Sequence, residues 1–126
     1  MIQTLEMDVS FPGDERVDAD FEGMHIPTGE EGGPSPFDLF LASIATCAGI
    51  KVLYFCNERE ISTEGLSLKQ RMFYNPENRM FEKIEIDIQL PPDFPEQYRD
   101  AVVRAANTCG VKRHLFNPPE FDVHVS

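Results

Sequence analysis

The residues best suited to chemistry in this sequence are its three cysteines, Cys47, Cys56 and Cys109. Cys47 lies among small residues in the middle of a predicted helix, where a free cysteine usually packs as a small hydrophobic side chain. Cys56 follows nine residues later, which is about 900° of helix rotation, so we expect it on the opposite face and in a packing role. Cys109 begins another predicted helix, where unpaired N–H groups, together with Lys112 and Arg113, favour the thiolate and predict a depressed pKa. Because Cys47 and Cys109 are 62 residues apart, only the fold can bring them together.

Other common catalytic chemistries find little support in the sequence. The three histidines share no His-x-x-His or Cys-x-x-Cys spacing with the cysteines, so we expect no metal site. No Gly-x-Gly-x-x-Gly or phosphate-binding loop occurs, and no Gly-x-Ser-x-Gly turn, so we expect neither a nucleotide cofactor nor a serine nucleophile. Thiol chemistry is the enzymatic interpretation that survives, and it needs no cofactor.

Length and composition restrict the class of protein. A chain of 126 residues predicts a single domain spanning residues 1–126. With 22 acidic and 11 basic residues and a formal charge of −11, the surface repels nucleic acids and anionic membranes. The N-terminal residues lack the basic start and apolar stretch of a signal peptide, so we expect a cytoplasmic protein. In that reducing compartment an odd number of cysteines does not indicate a disulfide scaffold.

The hydrophobic pattern predicts an α+β fold with antiparallel strands around one long central helix. That helix is apolar on nearly every face, and one small sheet with two short helices cannot cover it, so we expect a homodimer. In chain order the predicted elements are strands 2–11 and 15–22, a short strand around 24–26, helix 37–58, strands 66–74 and 81–90, helices 95–107 and 109–115, and a closing strand 121–125.

Two segments resemble the signatures of the OsmC/Ohr family. The segment from Gly33 to Cys47 (GPSPFDLFLASIATC) is similar to the family's proline-led helix with a cysteine at its middle. The segment from Cys109 to Leu115 (CGVKRHL) is similar to its second motif, a Cys-Pro-Val helix start. The order of strands and helices matches over nearly the full chain. The resemblance implies an OsmC-like fold, an antiparallel sheet packed on a long central helix, in an intertwined homodimer with two sites at the interface.

The resemblance also implies a reaction. Ohr-type members of the family reduce organic hydroperoxides in antioxidant stress defence, and by that pattern Cys47 is the peroxidatic thiol and Cys109 the resolving thiol. The Cys47 thiolate attacks the peroxide O–O bond and becomes a sulfenic acid. Cys109 condenses with the sulfenic acid to a disulfide, which an external dithiol, a lipoyl group in the best-known branch, reduces again.

The sequence departs from the Ohr branch where the first cysteine is activated. That branch uses an arginine from the N-terminal hairpin and a glutamate ten residues before the cysteine. Here Phe37 takes the glutamate position, with Asp38 one residue later, and Arg16 lies about one position from the family arginine, where Glu15 stands. Gly110 replaces the usual proline. We therefore expect a divergent OsmC-like protein in which Arg16 holds the thiolate and Asp38 orients that arginine.

Three functions stay open at this point. The first is a thiol peroxidase for apolar organic hydroperoxides, with Phe40, Ile44 and Tyr54 lining its substrate pocket. The second is a dimeric protein that binds an apolar small molecule in the same pocket without peroxidase activity. The third is an interaction protein whose thiols are only packed. Buried among Phe40, Ile44 and Ile50, an unassisted Cys47 should have a raised pKa and react slowly.

Overall fold

The longest element of the fold is a helix, α1, which runs from Pro36 to Glu58 in the computed structural model, where all 126 residues are described. Its start follows from a reciprocal capping box. The Asp38 N–H donates to Ser35 Oγ at 3.1 Å, and the Ser35 N–H donates to Asp38 Oδ2 at 3.0 Å. Pro36 occupies the first helical position, where its missing N–H costs nothing. The predicted central helix is confirmed to within one residue at its start.

Residues 1–42 form one compact unit around a three-stranded antiparallel sheet. Its strands are β1, Asp8–Gly13, β2, Arg16–Phe21, and β3, Met24–Thr28, in that spatial order. The β2–β3 turn is made by Glu22 and Gly23, whose φ angles of 47° and 83° are those of a tight hairpin turn. The short third strand is therefore confirmed.

Residues 43–126 form the second compact unit, which holds the other strands and helices. They are β4, Ser67–Asn75, β5, Met80–Gln89, a single 3-10 turn, Glu96–Tyr98, then α2, Arg99–Ala106, and α3, Gly110–Phe116. β4 and β5 pair antiparallel. Helix α1 passes through the boundary between the two units, and the single domain over residues 1–126 stays a prediction.

The hydrophobic core of this second unit forms between the C-terminal half of α1 and α2. Val52, Cys56 and Val102 have no exposed surface, and Phe94 joins them. Half-buried residues of β5, such as Ile86 and Ile88, pack against this cluster, as their alternation with polar residues predicts. The packing role of Cys56 is confirmed.

Helix α1 is also long and apolar enough to cross a membrane by length and composition. That is weak evidence, because the core helix of a soluble protein passes the same test. The C-terminal half of α1 packs in the hydrophobic core, and this burial accounts for the apolar residues there.

The predicted closing strand at the C-terminal end of the described chain is wrong. Residues 121–125 form no strand, and Phe121, Val123 and Val125 are exposed, because no neighbouring strand in this chain offers them backbone hydrogen bonds. The predicted last helix is confirmed to within one residue, since α3 begins at Gly110 and Cys109 is its N-cap residue in an extended conformation. Thr108 does not cap it, since its hydroxyl donates to the carbonyl of Ala105 at 2.6 Å.

Candidate active site: a hydrogen-bonded cysteine pair

The fold brings Cys47 and Cys109 into direct contact. Cys47 lies in the middle of α1 and is half-buried, whereas Cys109 precedes α3 and is 1% exposed. The Cys109 thiol donates a hydrogen bond to the sulfur of Cys47. Both thiols are free. The two cysteines that the sequence analysis singled out therefore form one pair, and Cys56 lies apart in the core.

Backbone groups at the start of α3 complete the surroundings of Cys47. The N–H groups of Gly110 and Val111 both donate to its sulfur. The first N–H groups of a helix have no partner within the helix, so they are available to an acceptor placed before them. Gly110 stands where the related motif has a proline, and a proline has no N–H to donate. The departure from the motif thus adds a donor to the site.

These contacts decide the ionisation of Cys47. Burial by itself raises the pKa of this thiol. The hydrogen bond from Cys109, the N–H groups of Val111 and Gly110 and the positive charge of Lys51 act in the opposite direction, and together they leave the pKa of Cys47 below its ordinary value. The raised pKa was expected for an unassisted Cys47, and burial does act in that direction; the assisting groups at the start of α3 reverse the shift.

Cys109 is perturbed in the other direction. Burial raises the pKa of Cys109, and so does the hydrogen bond that its S–H donates to Cys47. The N–H groups of Lys112 and Val111 lower the pKa by less, so it remains above its ordinary value. The expected depressed pKa of Cys109 is wrong, since that thiol is buried and is the proton donor within the pair. Within the pair, Cys47 is therefore the more acidic thiol and Cys109 the less acidic one.

A cavity of about 510 Å³ lies within residues 43–126, and neither Cys47 nor Cys109 is among its lining residues. Ile44 and Ala48, which flank Cys47 along α1, form part of its wall. Its polar groups include Asp87 and Lys112. The remaining lining residues are Ile84, Ile86, Ile88, Val103, Ala106, Asn107, Leu115 and Phe116. The cavity is therefore apolar, with a few polar groups.

Of the three residues predicted to bind substrate, Ile44 lines this cavity, and Phe40 and Tyr54 do not. The side chain of Tyr54 is exposed, and the ring of Phe40 packs beside the ring of Phe37, with centroids 5.2 Å apart. Their part in substrate binding stays a prediction. Because this cavity is closed mainly by β5, α2 and α3, spacing along α1 alone could not identify the residues around it.

The predicted activating pair, Arg16 and Asp38, is arranged differently from the expectation. The Arg16 guanidinium forms an ion pair with Asp18 at 2.8 Å, and Asp38 is engaged in the capping box of α1. Asp18 is a buried carboxylate that also contacts His25 Nε2 at 2.9 Å. The sequence analysis missed Asp18, although the two-residue period of a strand places Arg16 and Asp18 on the same face. The roles of Arg16 and Asp38 toward the thiolate stay predictions.

Comparison with known proteins supports the fold. The family model described as OsmC-like protein matches residues 29–124. A solved structure from Psychrobacter arcticus 273-4, described as an osmotic stress induced and detoxification response protein, superposes with a TM-score of 0.72 at 21% identity, covering 89% of both chains. No curated protein matches the chain.

Two further solved structures share the architecture. A hypothetical protein from Aquifex aeolicus VF5 gives a TM-score of 0.67 at 16% identity, covering 94% of this chain and 92% of its own. An OsmC-like protein from Mycoplasma pneumoniae gives 0.61 at 14% identity, covering 94% and 91%. At these identities the likeness concerns the fold.

Proposed function

Because the chain belongs to the OsmC-like family, we propose that it is a thiol-dependent peroxidase that reduces organic hydroperoxides through Cys47 and Cys109. The observation that carries this proposal is the hydrogen-bonded pair, in which Cys47 has a lowered pKa and Cys109 a raised one. A thiolate is the nucleophile that peroxide reduction needs. A second thiol in contact with it supplies the partner for a disulfide.

The proposed reaction has three steps. The Cys47 thiolate attacks one oxygen of the peroxide, so the O–O bond breaks and Cys47 becomes a sulfenic acid. The other oxygen leaves with the electron pair of that bond and takes up a proton from the buffered solvent, which gives the alcohol. Cys109 attacks the sulfenic sulfur and water leaves, which gives the Cys47–Cys109 disulfide. An external dithiol, for which a lipoyl group is our candidate, then reduces the disulfide by thiol–disulfide exchange.

We further propose that two residues outside the pair support the thiolate. Arg16 would hold it, most simply from the second subunit of a dimer, and Asp38 would act through such an arginine. The ion pair with Asp18 fixes the Arg16 guanidinium on β2. A guanidinium held in this way is better suited to binding a thiolate than a mobile surface side chain would be. In this arrangement Asp18 is the nearer carboxylate for orienting Arg16.

We propose that the active form is an intertwined homodimer in the cytoplasm. Every residue of β1 is exposed, and so are the apolar side chains of Phe121, Val123 and Val125. An exposed alternating segment at the chain end and an uncovered edge strand are typical of elements that pair with another chain. The reducing cytoplasm would also keep all three cysteines available as thiols.

A second candidate function rests on the cavity. Its volume of about 510 Å³ falls in the range of roughly 300–1,000 Å³ that is usual for small-molecule sites. A dimeric protein that binds an apolar small molecule there would need no thiol chemistry. The two candidates differ in what removing the Cys47 thiol does, because Cys47→Ser would abolish peroxidase activity and leave binding in the cavity intact.

The test is peroxide consumption by the full-length reduced protein with dihydrolipoamide as the reductant. We expect the parent to consume tert-butyl hydroperoxide continuously and Cys47→Ser to consume none above the background. Cys56→Ala is the matched control, because it removes a thiol that does not contact the pair and should retain turnover. If the parent consumes no peroxide at a pH at which Cys47 is ionised, the peroxidase proposal is refuted and the binding protein is favoured.

A further inference from the structure

The cavity within residues 43–126 has a volume of about 510 Å³, and its walls come from four elements, α1, β5, α2 and α3. Its lining residues Ile44 and Ala48 are buried, whereas Leu115 and Phe116 are exposed. The cavity therefore runs from the surface beside α3 to the buried face of α1. Three further isoleucines and a valine line it, so the hydrophobic effect favours a hydrocarbon in this space.

Two charged side chains also line the cavity, Asp87 and Lys112. The Asp87 carboxylate lies 3.8 Å from the Arg71 guanidinium, and Lys69 is its cross-strand partner on β4, so cations of this chain already offset its charge. The Lys112 ammonium donates to the neutral Oδ1 of Asn107 at 2.7 Å and forms no ion pair within the chain. An ammonium has three N–H groups, so Lys112 can still donate to an anion.

We propose that this cavity binds an aliphatic monocarboxylate, with the carboxylate on the Lys112 ammonium and the hydrocarbon chain directed toward Ile44 and Ala48. This inference deepens the second candidate function, because it names the chemical class of the bound molecule, and it does not depend on the peroxidase proposal. A carboxylate suits this position because an ammonium forms charge-assisted hydrogen bonds with it. Lys112 is half-buried, so water screens the contact less than it would at a fully exposed lysine.

The head group of the ligand gives the most direct test. Decanoate, decanol and decylamine have the same hydrocarbon chain and differ in the charge at its end. Their binding to the full-length reduced protein is measured by isothermal titration calorimetry at neutral pH, where the carboxylic acid is ionised. We expect decanoate to bind on the order of tenfold more tightly than decanol, as for one hydrogen bond between charged groups in a half-buried position, and decylamine to bind most weakly.

The length of the hydrocarbon chain gives a second measurement. Each CH₂ group that enters the cavity should tighten binding roughly fourfold, which is the effect of removing one CH₂ group from water. We therefore expect affinity to rise steadily from hexanoate through octanoate to decanoate. Carboxylates whose affinity does not depend on chain length would be bound at the surface, and that result would overturn the proposed site.

Three variants locate the two ends of the ligand. Lys112→Met keeps an aliphatic side chain but removes the ammonium, so it should lose the preference for decanoate over decanol. Arg113→Met is the matched control, because it removes a positive charge from an exposed residue of the same helix that does not line the cavity, and it should keep the preference. Val103→Phe enlarges an exposed lining residue and should weaken both ligands alike.

The outcomes separate this inference from the proposed functions. If the parent binds decanoate and decanol equally, or if Lys112→Met and Arg113→Met reduce the preference alike, Lys112 does not bind a carboxylate and the inference is wrong, although the cavity still binds apolar molecules. Tighter binding of decylamine would assign the head group to Asp87 and would also overturn it. If none of the three binds, this inference and the binding function fail together, and peroxide consumption remains the separate test of the peroxidase.

Discussion

Replacing Gly110 by proline should take one hydrogen bond from the Cys47 thiolate and leave the helix in place. Gly110 is the first residue of α3, a position that proline favours. A Cβ at Gly110 would meet no atom within 4 Å. The preceding residue, Cys109, has φ −61° and ψ 130°, which is the conformation that a following proline requires. The backbone conformation and the space around Cβ therefore accept a proline, whose ring Cδ takes the place of the N–H that faced the Cys47 sulfur.

The magnitude follows from the three hydrogen bonds that Cys47 accepts, from Cys109, Gly110 and Val111. A hydrogen bond to a charged group is worth about 1.5–3 kcal/mol, and each 1.36 kcal/mol changes the proportion of thiolate about tenfold. Because Cys47 is half-buried, water replaces part of the lost bond, so we take the lower end of that range. We expect the thiolate fraction at neutral pH to fall roughly tenfold.

The assay is the rate of Cys47 alkylation by iodoacetamide from pH 5 to 10, followed on the Cys47 peptide by mass spectrometry. Gly110→Ala is the matched control, since it adds a Cβ but keeps the N–H, and it should react as the parent does. Gly110→Pro should react about tenfold more slowly at neutral pH and reach the parental rate at high pH, where both thiols are ionised. Equal rates for the proline and alanine variants at neutral pH would refute the role of this N–H group.

Three further predictions concern the rest of the molecule. Arg16→Ala should raise the pKa of Cys47 and slow peroxide consumption at least tenfold, as expected for a lost charged contact. The control Arg79→Ala, in the exposed β4–β5 turn, should do neither. If Arg16→Ala shows parental kinetics, Arg16 is only a surface residue. The hydrogen bond that His25 donates to Asp20, and the negative charge of Asp20, raise the pKa of His25. The stabilising contribution of His25 is therefore complete below about pH 6.5 and is lost as the pH rises through the folded-state pKa; urea midpoints against pH should show a decline in this window that is smaller in Asp20→Asn, where Asp18 still contacts His25. Sedimentation at low micromolar concentration should give about twice the 14.3 kDa chain mass, because we expect a dimer interface above the roughly 1,600 Å² of a standard complex. Val123→Asp should weaken the dimer. A folded parental monomer would contradict the proposed assembly.

Local signals account for the parts of the fold that the sequence predicted well. Ser35, Pro36 and Asp38 are all capping signals within a few residues of one another, so the start of α1 could be located without knowledge of the rest of the fold. The alternation along β5 identified its half-buried face for the same reason, since a strand's two faces follow directly from its period.

Residues whose surroundings come from distant parts of the chain were predicted less well. The pKa of Cys47 depends on Cys109, Gly110 and Val111, and the pattern of α1 contains no information about them. The segment 121–125 has the alternation of a strand, yet alternation cannot show whether another strand is present to pair with it. The resemblance in the two motifs named Cys47 and Cys109, whereas their contact and the direction of each pKa shift came from the structure.

The central claim is that Cys47 and Cys109 form a redox pair, and the most direct measurement is the disulfide that one equivalent of tert-butyl hydroperoxide produces. The reduced protein is oxidised, its remaining thiols are alkylated under denaturing conditions, and the peptides are analysed by mass spectrometry without reductant. We predict a peptide in which Cys47 is linked to Cys109, with Cys56 recovered in its alkylated form. A Cys47–Cys56 link, or recovery of Cys47 and Cys109 as unmodified thiols, would contradict the account.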